Sequence, residues 1–321
     1  MAKKIEKNEK NVKNKIIVIC GPTASGKTYT AIELAKIFNG EIISADSMQI
    51  YRELNIGTAK PDEEEMQGIK HHLIDIISIS DSNLHSYSVS DYVNQAGECA
   101  EDIINSGKLP IICGGTGLYI DHFIKNTKFV EYAGTEDYRN KLAELSNEEL
   151  YSRLTEIDPK SAEIIHMNNK KRVIRALEIY YTTGKTKSEL DALSQIEGER
   201  YEFRKFGLRY TDRELLYSRI NKRVDEMMAG GLCEEVHELY TRDKKDDIIK
   251  TGAIGYVELV DYFDGGCTLD EAVEMIKKNT RNYAKRQITW FKRDENTIWI
   301  DIDADIINSP EKIIKKCVKY I

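Results

Sequence analysis

The chain has 321 residues, 31% of them charged and 41% apolar, and carries a formal net charge of −7. That length allows one large core plus a smaller module, and no apolar run approaches the ~20 residues that a membrane-spanning helix needs. The negative total argues against indiscriminate nucleic-acid binding but leaves room for a local basic face, since phosphate contacts depend on clustered Lys and Arg.

From the N-terminus, residues 1–14 are lysine-rich without an apolar heart, so a disordered basic tail is expected rather than a secretory signal. Lys15-Ile16-Ile17-Val18-Ile19-Cys20 is too short for a helix and rich in β-branched residues, which predicts a strand. Gly21-Pro22-Thr23-Ala24-Ser25-Gly26-Lys27-Thr28 follows, in the spacing G-x-x-x-x-G-K-[ST]; beyond it Ile32, Ala35 and Phe38 recur at helical spacing. Strand, glycine loop and helix form the context in which this pattern marks a phosphate cradle. The glycines let backbone N–H groups gather around an anion at the positive end of a helix. Lys27 reaches a terminal phosphate, and the Thr28 hydroxyl is the candidate ligand of Mg2+.

Strand and helix patterns continue to alternate, as a parallel sheet requires. Glu41–Ser44 reads as a second strand ending before Asp46, and His72–Ile77 as a third containing Asp75. A helix is expected from Tyr87 to Asn105, then a strand at Pro110–Cys113 running into Gly114-Gly115-Thr116-Gly117. Ligands of open α/β sheets bind beyond the carboxyl ends of the strands, where Asp46, Asp75 and Thr116 are placed. Asp46 could serve as a general base or metal ligand, or merely cap the next turn. Asp75 has the position of an acid holding the water shell of Mg2+.

Between about Tyr132 and Leu193 strand-like runs stop. Amphipathic helices take over at Asp137–Leu145, Asn147–Ile157 and Lys170–Tyr181. This predicts a helical insertion domain at 132–199 between two stretches of core, 15–131 and 200–321. Gly184-Lys185-Thr186 imitates the end of a second phosphate loop, but the required first glycine falls on Ile179, so it is a decoy. Lys205–Tyr210 reads as a further strand. Thr211-x-x-Glu214 and Thr268-x-x-Glu271 read as capping boxes opening long helices towards Ala229 and Lys292. Thr297–Ile300 is a last strand. The expected fold is α/β, a P-loop NTPase-like parallel sheet flanked by helices, with a helical insertion.

The six cysteines are scattered without a C-x-x-C pair, which reads as reduced packing thiols in a cytosolic protein. Nor does the histidine spacing suggest zinc. Lys278, Arg281, Lys285 and Lys292 form one stripe of the last long helix. Arg219, Lys222 and Arg223 add a second basic cluster, and Lys170, Lys171, Arg172 and Arg175 a third. A solvated face is the usual fate of such runs; three clusters in an acidic protein favour a polyanion surface.

Further segments narrow the reading. Asp46-Ser47-Met48-Gln49-Ile50-Tyr51, Ile56-Gly57-Thr58-Ala59-Lys60-Pro61 and Gly114-Gly115-Thr116-Gly117-Leu118-Tyr119 closely resemble the tRNA dimethylallyltransferases (tRNA isopentenyltransferases). So do Lys171 to Glu178, Gly255-Tyr256 and Lys285 to Trp290, in the family's order. The resemblance implies transfer of a dimethylallyl group from dimethylallyl diphosphate to the exocyclic amine of the adenosine 3′ of the anticodon in tRNA. It implies Asp46 as the base, with Thr23 and Arg223 at the reaction centre and Arg219 as the alternative to Arg223. Gly21 to Thr28 grip the diphosphate, with Mg2+ as cofactor. The resemblance also implies tRNA contacts from Asp46, Ser47, Met48, Gln49, Thr116 and Arg139, and from Lys171, Arg172, Val173, Ile174 and Arg175. No membrane partner is expected, and a monomer is. The rivals are a small-molecule P-loop kinase, a transferase acting on free adenine nucleotides, and a noncatalytic RNA-binding switch that senses NTP.

Overall fold

The computed structural model describes residues 14–81, 87–129, 136–196 and 198–321. The expected tail, Asn14 apart, and the expected start of the insertion at Tyr132 lie outside the described residues. The strands are β1 (Lys15–Cys20), β2 (Gly40–Ser44), β3 (His71–His72), β4 (Leu109–Gly114), β5 (Thr127–Lys128), β6 (Gln195–Ile196), β7 (Glu202–Tyr210) and β8 (Ile298–Ile302). Six of them form one parallel sheet in the order β3-β2-β4-β1-β7-β8. β1 is central, and Ile16 to Cys20 are fully buried. A parallel strand covered on both faces reads as an unbroken apolar run, not as an alternation. Ile17 and Ile19 pack with Ile32 and Ala35 of the helix Lys27–Phe38, and with Ile111 and Phe206 of the strands on either side.

Two expected elements differ. The third strand stops at His72 because Leu73 and Asp75 both adopt left-handed φ, near +60° and +59°; Ile77 rejoins only through an isolated bridge to Tyr51. The helix Arg213–Ala229 is capped not by Thr211 but by Asp212, whose carboxylate accepts from Glu214 N at 2.9 Å. The Thr268–Glu271 capping box is present and opens the helix Leu269–Phe291.

The chain divides into two compact units. One comprises the sequence up to Ile124 and from Glu199 onward; the other is Lys125–Gly198. The second contains the helices Glu136–Ala143, Asn147–Ile157, Pro159–Ile164, Lys170–Thr183 and Lys187–Leu193. Leu142, Leu150, Leu154, Val173 and Leu177 form its core. The antiparallel pair β5–β6 joins its ends. Gly184 ends one of its helices in the left-handed region and Thr186 caps the next, so the Gly-Lys-Thr decoy is a helix–helix turn.

Candidate active site

β1, β2 and β4 are neighbours, so the turns that follow them meet at one edge of the sheet. After β1, Gly21 passes the backbone of Leu208 at φ +146°; a β-carbon there would lie 2.5 Å from Leu208 O, so only glycine fits. Gly26 then begins the helix Lys27–Phe38 at φ +81° and brings no side chain to cap it. The first N–H groups of that helix are thus left for an outside acceptor at its positive end. The loop is braced from within: Ser25 Oγ and Lys27 Nζ both donate to Pro22 O at 2.7 Å, and Tyr210 Oη donates to Ala24 O at 2.6 Å. Burial pulls the Lys27 ammonium down from 10.5 to about 8, and the Arg223 charge nearby adds to the effect. This is a cation held where its charge is poorly solvated, the state an incoming phosphate relieves.

Asp46 follows β2. Its Oδ1 accepts from Met48 N at 2.9 Å, closing a tight turn. The hydroxyl of Thr116, in the turn after β4, accepts from Ser47 N at 3.0 Å and donates to Ser47 Oγ at 3.3 Å. Gln49 donates through Nε2 to Thr58 O (3.3 Å) and Ala59 O (3.2 Å), while Ser44 Oγ donates to its Oε1. Because both carbonyls can only accept, the direction of this amide is fixed.

Thr23, Lys27, Thr28, Asp46 to Gln49 and Arg223 all line one cleft of about 270 Å³ in the sheet unit. Its far wall is apolar, built from Ile220, Val224, Leu232, Ala253 and Ile276. Arg223 faces this cleft, whereas Arg219 lines a separate hollow with Tyr29 and Tyr210, so Arg223 is the arginine placed near Lys27 and Asp46. Burial lowers the Arg223 pKa, against the opposing pull of Glu65 and Asp46.

Three expectations are corrected. Asp75 does not line the cleft: its side chain is 50% exposed and paired with Lys60, because the left-handed turns at Leu73 and Asp75 carry it off the strand end. Val173 and Ile174 are buried in the helical core, so they are not available to RNA; helical periodicity leaves Lys171, Arg172 and Arg175 on the outer face. Lys170 donates to Ala143 O and Leu145 O, closing the end of the helix Glu136–Ala143. Arg139 and Arg175 both bond Glu178, which is 0% exposed, and keep part of their own surface open.

The helix Leu269–Phe291 supplies a face that charge-reading overlooked. Ile276, Thr280, Tyr283 and Gln287 follow one another at helical spacing and line the cleft. Burial raises the Tyr283 pKa well above the ordinary phenol, with Thr116 and Gln287 near its hydroxyl opposing the shift. An i, i+4, i+7, i+11 pattern of apolar, polar and aromatic residues was the signal available, but Lys278, Arg281 and Lys285 drew attention to a different stripe; Arg286, beside Gln287, also lines the cleft.

A glycine phosphate loop at the carboxyl edge of a parallel sheet, opposed by a carboxylate and an apolar wall, places the molecule among P-loop α/β proteins that handle a phosphorylated substrate. A family model described as IPP transferase matches residues 49–294, and the chain belongs to that family. It is 49% identical over 310 residues to a tRNA dimethylallyltransferase of Acetivibrio thermocellus, covering 95% of this chain and 97% of that protein. Among solved structures it resembles the tRNA isopentenylpyrophosphate transferase of Bacillus halodurans, at 42% identity and TM-score 0.66, covering 96% and 99% of the two chains. It also resembles a eukaryotic dimethylallyltransferase acting on tRNA, at 30% identity and TM-score 0.79, covering 95% of this chain and 77% of that one.

Proposed function

We infer that this chain transfers the dimethylallyl group of dimethylallyl diphosphate to the N6 amine of the adenosine 3′ of the anticodon in tRNA, releasing diphosphate. The observation that carries the reading is the convergence of Lys27, Asp46 and Arg223 on one cleft with an apolar wall, in a chain whose close relatives bear that activity in their names.

The adenine amine is a weak nucleophile because its lone pair is delocalised into the ring. As N6 bonds to the first allylic carbon, the Asp46 carboxylate accepts its proton. The carbon–oxygen bond to the diphosphate breaks, and the electron pair leaves with the oxygen. The loop N–H groups, Lys27 and Arg223 stabilise that departing charge. The isoprenyl tail lies against the apolar wall of Ile220, Val224, Leu232 and Ile276. An adenine stacked in the anticodon loop cannot reach Asp46, so the base turns outward to enter the cleft, where Ser47, Met48 and Gln49 border it and Thr116 holds Ser47 from behind.

Among the described residues there is no cluster of three His, Cys, Asp or Glu that would cage a metal. Mg2+ needs none: it keeps waters and binds through one or two hard oxygens plus phosphate. Thr28, beside Lys27 in the cleft, is the fitting protein ligand. Bound with the diphosphate, the ion supplies charge neutralisation. In the helical unit, Lys171 and Arg172 are exposed and are the cations we assign to tRNA backbone contacts. The chain acts as a monomer in the cytosol, and no helix of the described residues is long and apolar enough to cross a membrane.

The test is incubation of the protein with unmodified tRNA, labelled dimethylallyl diphosphate and Mg2+. Label entering tRNA supports the reading. Label entering only free adenine nucleotides, or phosphoryl transfer from ATP to a metabolite, overturns it.

A further inference from the structure

Gln287 lies 5% exposed between the two glycine turns. Thr23 N donates to its Oε1 at 2.9 Å, and its Nε2 donates to Gly115 O at 3.1 Å. One bond needs an acceptor and the other a donor, so a side-chain amide of this length satisfies both. The fit is close: a β-carbon on Gly115 would lie 2.1 Å from Nε2. Gly115 leads directly into Thr116, whose hydroxyl holds Ser47 N and whose own N donates to Ala45 O at 3.0 Å. Ala45 and Ser47 are the residues on either side of Asp46. A single amide therefore ties the phosphate loop at Thr23 to the turn that fixes Asp46.

We propose that Gln287 is a positioning residue that sets the distance between the phosphate loop and Asp46, and so the alignment of the allylic carbon with the incoming amine. It acts through Thr23 and Gly115 and not on the reacting atoms. The inference rests on the transfer reading above, in which these two turns hold the two halves of the reaction.

The experiment measures kcat and KM for tRNA in the full chain carrying Gln287→Met or Gln287→Glu, with thermal melting of each. Gln287→Met keeps the length and loses both bonds. It is expected to melt near the wild type, to keep its KM, and to lose on the order of 10²-fold in kcat, the cost of a misalignment near 1 Å. Gln287→Glu keeps the acceptor for Thr23 N, but when ionised it cannot donate to Gly115 O. Its kcat relative to wild type is expected to rise as pH falls from about 9 to 6, because a buried carboxyl becomes neutral readily and then donates. If Gln287→Met does not fold, this pH profile carries the test. Wild-type kcat in both variants, or a loss that tracks melting with no pH-dependent recovery in Gln287→Glu, would overturn the proposal. Failure of the wild type itself to prenylate tRNA would instead sink the transfer reading.

Discussion

Raising the pH should loosen the grip of the phosphate loop in a way that can be counted in protons. The Lys27 ammonium titrates at about 8 instead of 10.5, chiefly through burial. That difference corresponds to roughly 3 kcal/mol acting against the charged form. A diphosphate placed beside the ammonium favours its charge and raises its pKa again. Below pH 8 the lysine is charged with or without ligand, so binding exchanges no proton there. Above pH 8 the free protein has lost that proton and must recover it, and affinity falls by about tenfold per pH unit. The sign for folding is the opposite: between pH 8 and 10.5 the unfolded chain holds a proton that the folded one does not, so stability rises with pH there. The cost of burying Lys27 is thus complete below pH 8 and disappears as pH rises through that window. Calorimetry of inorganic diphosphate binding in buffers of unlike ionisation enthalpy reads the proton directly. Running Lys27→Met alongside cancels the titration of the ligand. Wild type should take up about one proton more than Lys27→Met near pH 9, and the difference should vanish near pH 7. Equal uptake by the two proteins at both values would refute the reasoning.

Three other outcomes follow from the same geometry. Asp46→Asn should lower kcat by about 10²–10⁴-fold, the range of a lost general base, with tRNA affinity in a gel shift unchanged; near-normal turnover would remove Asp46 from that role. Replacing Lys171 and Arg172 with alanine should weaken tRNA binding and reduce the slope of log K against log salt by roughly one for each phosphate no longer neutralised, whereas an unchanged slope would show that this helix does not touch the backbone. Lys205 on β7 is 4% exposed and paired with Asp294 at 2.8 Å and Asp121 at 3.4 Å. Lys205→Met should therefore cost about 2 kcal/mol in urea unfolding, since two half-buried carboxylates lose their cation; no shift in the midpoint would contradict that.

Legibility in the sequence followed physical cause. β1, β2 and β4 lie inside the sheet and are almost wholly buried, so their apolar runs announce them without any need for periodicity. The phosphate loop is equally plain, because the left-handed passage at Gly26 and the close approach at Gly21 demand glycine at set positions. Reading fails where one residue's backbone decides: nothing in the apolar run His72–Ile77 warns that Leu73 and Asp75 turn left-handed and end the strand. β5 and β6 are two residues each, too short for any period to register. Lys171 to Arg175 looked like one basic patch, but a helix sends Val173 and Ile174 inward and only the charged positions outward. Gln287 stayed hidden for a different reason. Its importance lies in two bonds to backbone atoms far away in sequence, which no local pattern encodes.

The central claim is that an adenosine amine in the anticodon loop attacks an allylic diphosphate held by Gly21 to Thr28. It is tested most directly by digesting tRNA after reaction and weighing its fragments by mass spectrometry. The account predicts one added dimethylallyl group, on the adenosine 3′ of the anticodon, appearing only when dimethylallyl diphosphate is supplied. An unmodified adenosine in that position, with fully folded protein and both substrates present, would contradict it.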